Sequence, residues 1–185
     1  RQPEVKDLIA YLKVLYNFED SVAMYRVLTM DWVGLPARDV AALVNHAKKF
    51  GLSLFEACEA STDENVKKLV EMIHRHLGLI KKESAGQILY YFLQDSGLLQ
   101  QFALYKKAKD EKDAENIAKF FNKLKTYETE HDDAGVFAVV DWIDLSLTLG
   151  ESPIASDIDW TENNAVNILT VHSAKGLEFP VVFLV

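Results

Sequence analysis

VNILTVHSAKGLEFPVVFLV, residues 166–185, is the stretch on which the reading of this chain turns. Its two β-branched runs, 166–171 and 181–185, predict a pair of short buried strands enclosing a polar hook, Thr-x-His-x-x-Lys-Gly-x-Glu. Thr170 and His172 alternate in extended backbone, so their side chains share a face and can both donate to phosphate oxygens. Lys175 adds a cation, and Gly176 a backbone free to take positive φ or to approach a ligand closely. Glu178 adds a carboxylate that accepts hydrogen bonds from hydroxyl groups. Phe179, Val181, Val182 and Phe183 read as core, and the hook suits a nucleotide or phosphate contact.

Outward from that tail the chain changes character. Val5, Leu8, Ile9, Leu12, Leu15 and Tyr16 recur at helical spacing behind Pro3, and Val22, Tyr25 and Leu28 repeat the pattern. Gly34-Leu35-Pro36 then makes a turn before a helix carrying Val40, Leu43, Val44 and Ala47, with Gly51 where a C-terminal cap belongs. Ser53 with Glu56, and Ser61 with Glu64, have the spacing of capping boxes. Further stripes follow: Val66, Leu69, Val70, Ile73, Leu77; then Ala85, Ile88, Leu89, Phe92, Leu93; then Leu98, Leu99, Phe102. The charged run from Lys106 to Glu115 reads as a break before Ile117, Phe120, Phe121, Leu124 and Tyr127, and polar residues 128–133 as a second break before Val136, Phe137, Val140, Ile143 and Leu147. Residues 151–164 have little periodicity and read as a linker. The expected fold class is therefore mainly α, a multi-helix body with a short β-strand tail. Two strands alone are not stable, so the tail belongs to a larger sheet.

Composition narrows the function classes. Of 185 residues 49% are hydrophobic, enough for a real core, and no apolar run reaches the roughly 18 residues that a membrane helix needs. No leader-like segment opens the chain, and the single cysteine, Cys58, makes neither an internal disulfide nor a zinc cluster, so a cytoplasmic setting without membrane contact is expected. Net charge is −8, yet residues 1–109 hold 15 Lys and Arg against 13 Asp and Glu, while residues 110–185 hold 5 against 15. Any nucleic-acid contact must be local and lies better in the first half. His74 and His76, two apart on a helix, point to different sides and do not make a metal site.

The hook resembles the fifth motif of superfamily 1 DNA helicases of the UvrD/Rep/PcrA type, T-x-H-x-[AS]-K-G-L-E-F-P-x-V-F. Thr170, His172, Ala174, Lys175, Gly176, Leu177, Glu178, Phe179, Pro180, Val182 and Phe183 match it position by position. The resemblance implies that Glu178 and Gly176 face a nucleotide, with Glu178 on the ribose, and that Thr170, His172 and Lys175 contact single-stranded DNA. It further implies that residues 1–16 and 161–185 belong to a RecA-like 2A domain and residues 17–160 to a helical 2B subdomain inserted in it, so that the chain reads as an excised fragment. ATP and Mg2+ are the cofactors implied for the intact parent, with no cofactor expected for the fragment, and 3′-to-5′ unwinding of DNA is the implied activity. In this family a glycine turn in the inserted subdomain touches duplex DNA. Gly34, Leu35, Arg38 and Lys48, supplemented by His46 and Lys49, are the matching candidates here, although proline stands where the second glycine is usual.

No Gly-x-x-x-x-Gly-Lys-[Ser/Thr] loop occurs in these residues, so the isolated chain is expected not to hydrolyse ATP. Two other classes fit part of the sequence. A helical protein-interaction module would use Trp32, Tyr90, Tyr91, Trp142 and Trp160 as exposed aromatics and leave the hook without meaning. A helicase-nuclease would share the hook and differ by a further domain. Protein partners on the helical body are compatible with all three.

Overall fold

Pro3 occupies the first turn of the first helix, α1 (Pro3–Tyr16), where its missing N–H costs nothing. The expected stripe is buried on this helix except Tyr16, which is exposed at its end, and Ala10, Tyr11 and Val14 are buried as well. A helix apolar nearly all round has to be enclosed, and this one is. The computed structural model describes residues 2–104, 108–149 and 181, without the side chains of residues 102, 103 and 108–110. The chain divides into two units, Arg1–Ile154 and Ala155–Val185, and the architecture below is that of the first.

Short, well-capped helices follow α1. In α2 (Ser21–Leu28) the Asp20 carboxylate accepts from the N–H groups of Val22 and Ala23. A 3-10 turn, Asp31–Val33, leads to α3 (Ala37–Phe50), which stops at Gly51 in the left-handed region at φ 67°. The capping box expected at Ser53 and Glu56 opens α4 (Leu54–Glu59), with both reciprocal bonds made. The second expected box is replaced. Asp63 caps α5 (Glu64–Leu77) by accepting from Asn65 and Val66, while Ser61 accepts from the N–H of Asp63 at 3.2 Å. A carboxylate at the cap satisfies two orphan donors and favours the positive end of the helix, so it displaces the serine.

The second half holds α6 (Ala85–Asp95), α7 (Leu98–Ala103), α8 (Ala108–Glu130) and α9 (Val136–Thr148). Here the reading of breaks is corrected. Residues 108–115 are helical, and α8 runs on to Glu130. Alanine, lysine and glutamate are strong helix formers, and pairs such as Lys119 to Glu115 at 2.6 Å support a solvent-facing helix that has no need of a continuous apolar stripe. No strand is present among the described residues; the expected strand tail lies outside them, Val181 excepted.

Helix α1 is the hub, packing on α2, α5, α6, α8 and α9. Each fully enclosed leucine or isoleucine contributes about 1.5–3 kcal/mol by removal from water. Polar pins then set the register of the outer helices. Lys13 meets Asp144 at 2.6 Å and Tyr16 donates to Asp141 at 2.9 Å, tying α1 to α9. Gln2 and Glu4 reach Asn116 of α8 at 3.0 and 2.6 Å, and Arg26 of α2 spans Asp7 and the Pro3 carbonyl. Exposed pairs of this kind contribute about 0–1 kcal/mol each, so they orient helices rather than hold the body together. The aromatics proposed for an interaction surface are largely spent inside: Trp32, Tyr91 and Trp142 pack against the core, and Tyr90 alone of the described set is exposed. Trp160 lies outside the described residues.

Candidate nucleic-acid interface

Residues 31–38 form the turn on which the duplex contact was expected. Val33 is buried and anchors the 3-10 turn; Gly34 closes it at φ 71°, ψ 22°, donating its N–H to the Asp31 carbonyl at 3.1 Å. A side chain at Gly34 would find room, its Cβ meeting Asn65 Nδ2 at 3.5 Å, so the glycine is required by its left-handed backbone rather than by crowding. Leu35 is half-buried against the core, and Pro36 caps α3 through its carbonyl, which accepts from Asp39 and Val40. Gly34 therefore offers no donor of its own. The N–H groups of Ala37 and Arg38 are the ones without an acceptor among the described residues, at the positive end of α3.

Arg38 stands in the open, its side chain 88% exposed, and its Nε donates to Asp39 at 3.1 Å. A phosphate arriving here would take two backbone donors and a guanidinium, in competition with the Asp39 carboxylate. Lys48 is ten residues further along the same helix, a rise of about 15 Å, so it cannot share that phosphate. The four side chains expected to act together fall into two groups: Arg38 at the start of α3, and His46, Lys48 and Lys49 toward its end.

Two grooves border the turn. One, of ≈ 430 Å³, runs between α3 and the α4–α5 link, with Leu35 and Leu43 in its wall and Asp39, His46 and Asp63 at its edges. The other, of ≈ 420 Å³, lies between Trp32 and α5 and carries Asn65, Lys68 and Arg75 with Glu71 and Asp95. Only the second mixes charges of both signs; the charged residues of the first are Asp39 and Asp63. Among the described residues no cluster of three or more His, Cys, Asp or Glu side chains is placed to hold a metal ion.

The sequence reading missed a buried polar chain beside the second groove. The Tyr11 hydroxyl meets His76 Nδ1 at 2.5 Å, His76 Nε2 meets Asp95 at 3.0 Å, and Arg75 donates to the same carboxylate oxygen at 2.7 Å. His76 is 1% exposed while His74, two residues earlier, faces solvent and meets Glu59 at 2.8 Å, as their spacing requires. Nothing in the sequence links Tyr11 to a residue 65 positions away, and only the packing of α1 on α5 does so. Burial holds His76 below the ordinary histidine value against the opposing pull of Asp95, and burial raises Tyr11 well above the usual phenol value. Cys58 is likewise buried and its thiol is pushed up to about 12, which makes it inert at neutral pH.

Because the folded state disfavours the His76 proton, the unfolded chain binds it more readily. This contribution to stability is complete above the unfolded value of about 6.5 and is lost as pH falls toward the folded value. Urea midpoints are expected to drop between neutral and mildly acid pH, and His76→Gln should flatten that dependence; an equal slope in the variant would exclude His76 as its source.

Thr170, His172, Lys175, Gly176 and Glu178 lie outside the described residues, so their placement rests on sequence. Sequence comparison adds two findings. The family model described as UvrD-like helicase C-terminal domain matches residues 1–185. The ATP-dependent DNA helicase PcrA of Staphylococcus aureus (strain Mu50 / ATCC 700699) is 29% identical over 194 residues, covering 98% of this chain and 25% of the relative. The protein of the same name from Staphylococcus epidermidis (strain ATCC 12228 / FDA PCI 1200) is similar to the same extent. The chain thus spans about a quarter of the length of these relatives.

Proposed function

Because the chain belongs to the UvrD-like helicase C-terminal domain family, we propose that it is part of an ATP-dependent, 3′-to-5′ DNA helicase and supplies that motor with a regulatory helical body. The observation that carries the reading is the match from Thr170 to Phe183, set in a chain that the family covers from end to end. In this reading Glu178 and Gly176 face the nucleotide, and Thr170, His172 and Lys175 hold the phosphates of the translocating strand. ATP and Mg2+ bind in the longer protein, whose phosphate-binding loop is supplied by other segments. Residues 17–160 act as the 2B-type subdomain, and residues 1–16 and 161–185 belong to its RecA-like host. The tight packing of α1 on five later helices means that any boundary at residue 16 is one of function rather than of folding.

The start of α3 engages the duplex ahead of the fork. Gly34 shapes the turn, Leu35 anchors it, and Ala37 and Arg38 present the donors, while Lys48 is left for a different part of the nucleic acid. Protein partners, a cytoplasmic location and a nuclease domain elsewhere in the parent are all compatible with this assignment.

Anisotropy of a labelled DNA hairpin with a single-stranded tail, titrated with the chain across a salt series, tests the duplex contact. Arg38→Ala is expected to weaken binding about threefold to tenfold and to lower the salt slope by about one. Binding by the variant at wild-type strength and slope would remove Arg38 from the interface.

A further inference from the structure

The far end of α3 has a composition that the duplex contact does not use. Phe50, its last residue, is 58% exposed. The His46 ring lies one turn back at 4.6 Å from the Phe50 ring, tilted by 47°, and the Lys49 ammonium stands 5.4 Å from the centre of the same ring. Lys48 and Lys49 occupy the last turn and have no carboxylate partner among the described residues. Immediately beyond, Gly51 turns the chain away at φ 67°, and a Cβ built there meets nothing within 4 Å, so the turn that ends the helix is uncrowded.

The bland explanation of the lysines is compensation of the helix dipole. That end carries about half a negative charge, and two ammonium groups exceed it, leaving a net positive site in a chain of net charge −8. It does not explain an exposed phenylalanine flanked by an imidazole. An aromatic face beside unpaired cations is the arrangement by which unpaired nucleobases are held: the base stacks and the adjacent phosphates meet the lysines, whatever the base. A duplex cannot use it, because its bases are already stacked on one another.

We propose that Phe50, with His46, Lys48 and Lys49, is a stacking platform for single-stranded nucleic acid, separate from both the hook at 170–178 and the turn at Gly34. The assignment rests on the reading of DNA as the partner and adds a second strand contact to it. Lys49 is exposed and leaves the ring for a phosphate as the base arrives. The platform favours no sequence, since every base has a π-face.

The test is anisotropy of a labelled oligothymidylate of about a dozen nucleotides, beside an abasic oligomer of the same length and the tailed hairpin. Phe50→Ala is expected to weaken oligothymidylate binding roughly five- to a hundredfold, with Phe50→Trp at or above wild type and the abasic oligomer insensitive to either change. Lys48→Gln with Lys49→Gln should lower the salt slope for both oligomers. Phe50 is not part of the buried core, so its truncation leaves the fold standing, which a melting curve verifies. Unchanged oligothymidylate binding in Phe50→Ala overturns the platform, as does an equal loss for the abasic oligomer. Failure of the wild type to bind any single strand at low salt overturns it too. Arg38-dependent hairpin binding in the same series then shows whether the wider DNA reading survives.

Discussion

Truncation of Phe92 to alanine is expected to cost about 3–5 kcal/mol, the largest loss of any single change in the helical body. Phe92 is 0% exposed; it stacks on Tyr11 with centroids 4.1 Å apart and an interplanar angle of 27°, and meets the Trp32 ring edge-on at 5.8 Å. One ring therefore joins α6 to α1 and to the 3-10 turn that carries Gly34. Its removal opens a cavity among side chains that cannot all relax, and it frees Tyr11, whose hydroxyl positions His76. Domains of this size have about 5–15 kcal/mol in total, so the variant should melt far earlier and lose the second groove before it loses helicity. Urea titration followed by circular dichroism measures the cost. A change below about 1 kcal/mol would mean that the site collapses around the gap, and Phe92→Leu should fall between the two.

On the function proposed above, Glu178→Ala in the longer protein is the second large effect. Hydroxyl donors that lose a charged acceptor cost about 1.5–3 kcal/mol, so ATP affinity should fall roughly ten- to a hundredfold with single-stranded DNA binding retained. His172→Ala is expected to do the reverse, sparing nucleotide affinity while reducing the stimulation of ATP turnover by DNA. Fluorescent-nucleotide titration and DNA-dependent turnover on the two variants separate the roles. If both variants lose both properties equally, the hook is a structural hinge rather than two contacts.

How far the sequence could be read depended on whether a feature is local. Pro3, Gly51 and the Ser53–Glu56 box act within a few residues of themselves, and the helices they bound are the ones expected. Ser61 against Asp63 was a competition between two local caps, and spacing alone favoured the weaker one. Residues 108–115 are charged and helical together because a helix whose outer face is solvated needs charge there, so charge does not mark an absence of structure. Of the candidate duplex residues, Gly34 closes the turn and Arg38 stands at the start of α3, while the length of α3 separates Arg38 from Lys48. Phe50 carries no signal of its own in the sequence, because a lone aromatic before a glycine looks like any helix end. The Tyr11–His76–Asp95 chain joins three helices and has no signature along the sequence at all.

The enclosure of α1 also sets a timetable. During synthesis the ribosome releases this helix ahead of the helices that enclose Val5, Leu8, Ile9, Tyr11, Leu12, Val14 and Leu15, and the wall that Tyr16 and Lys13 lean on is encoded 125 and 131 residues later. At about 5–20 residues per second, that interval is roughly 6–26 seconds in which α1, though joined early by α2 and later by α5, α6 and α8, still lacks its last wall. Chaperone capture of arrested nascent chains should therefore be strongest before α9 emerges and fall sharply once it has.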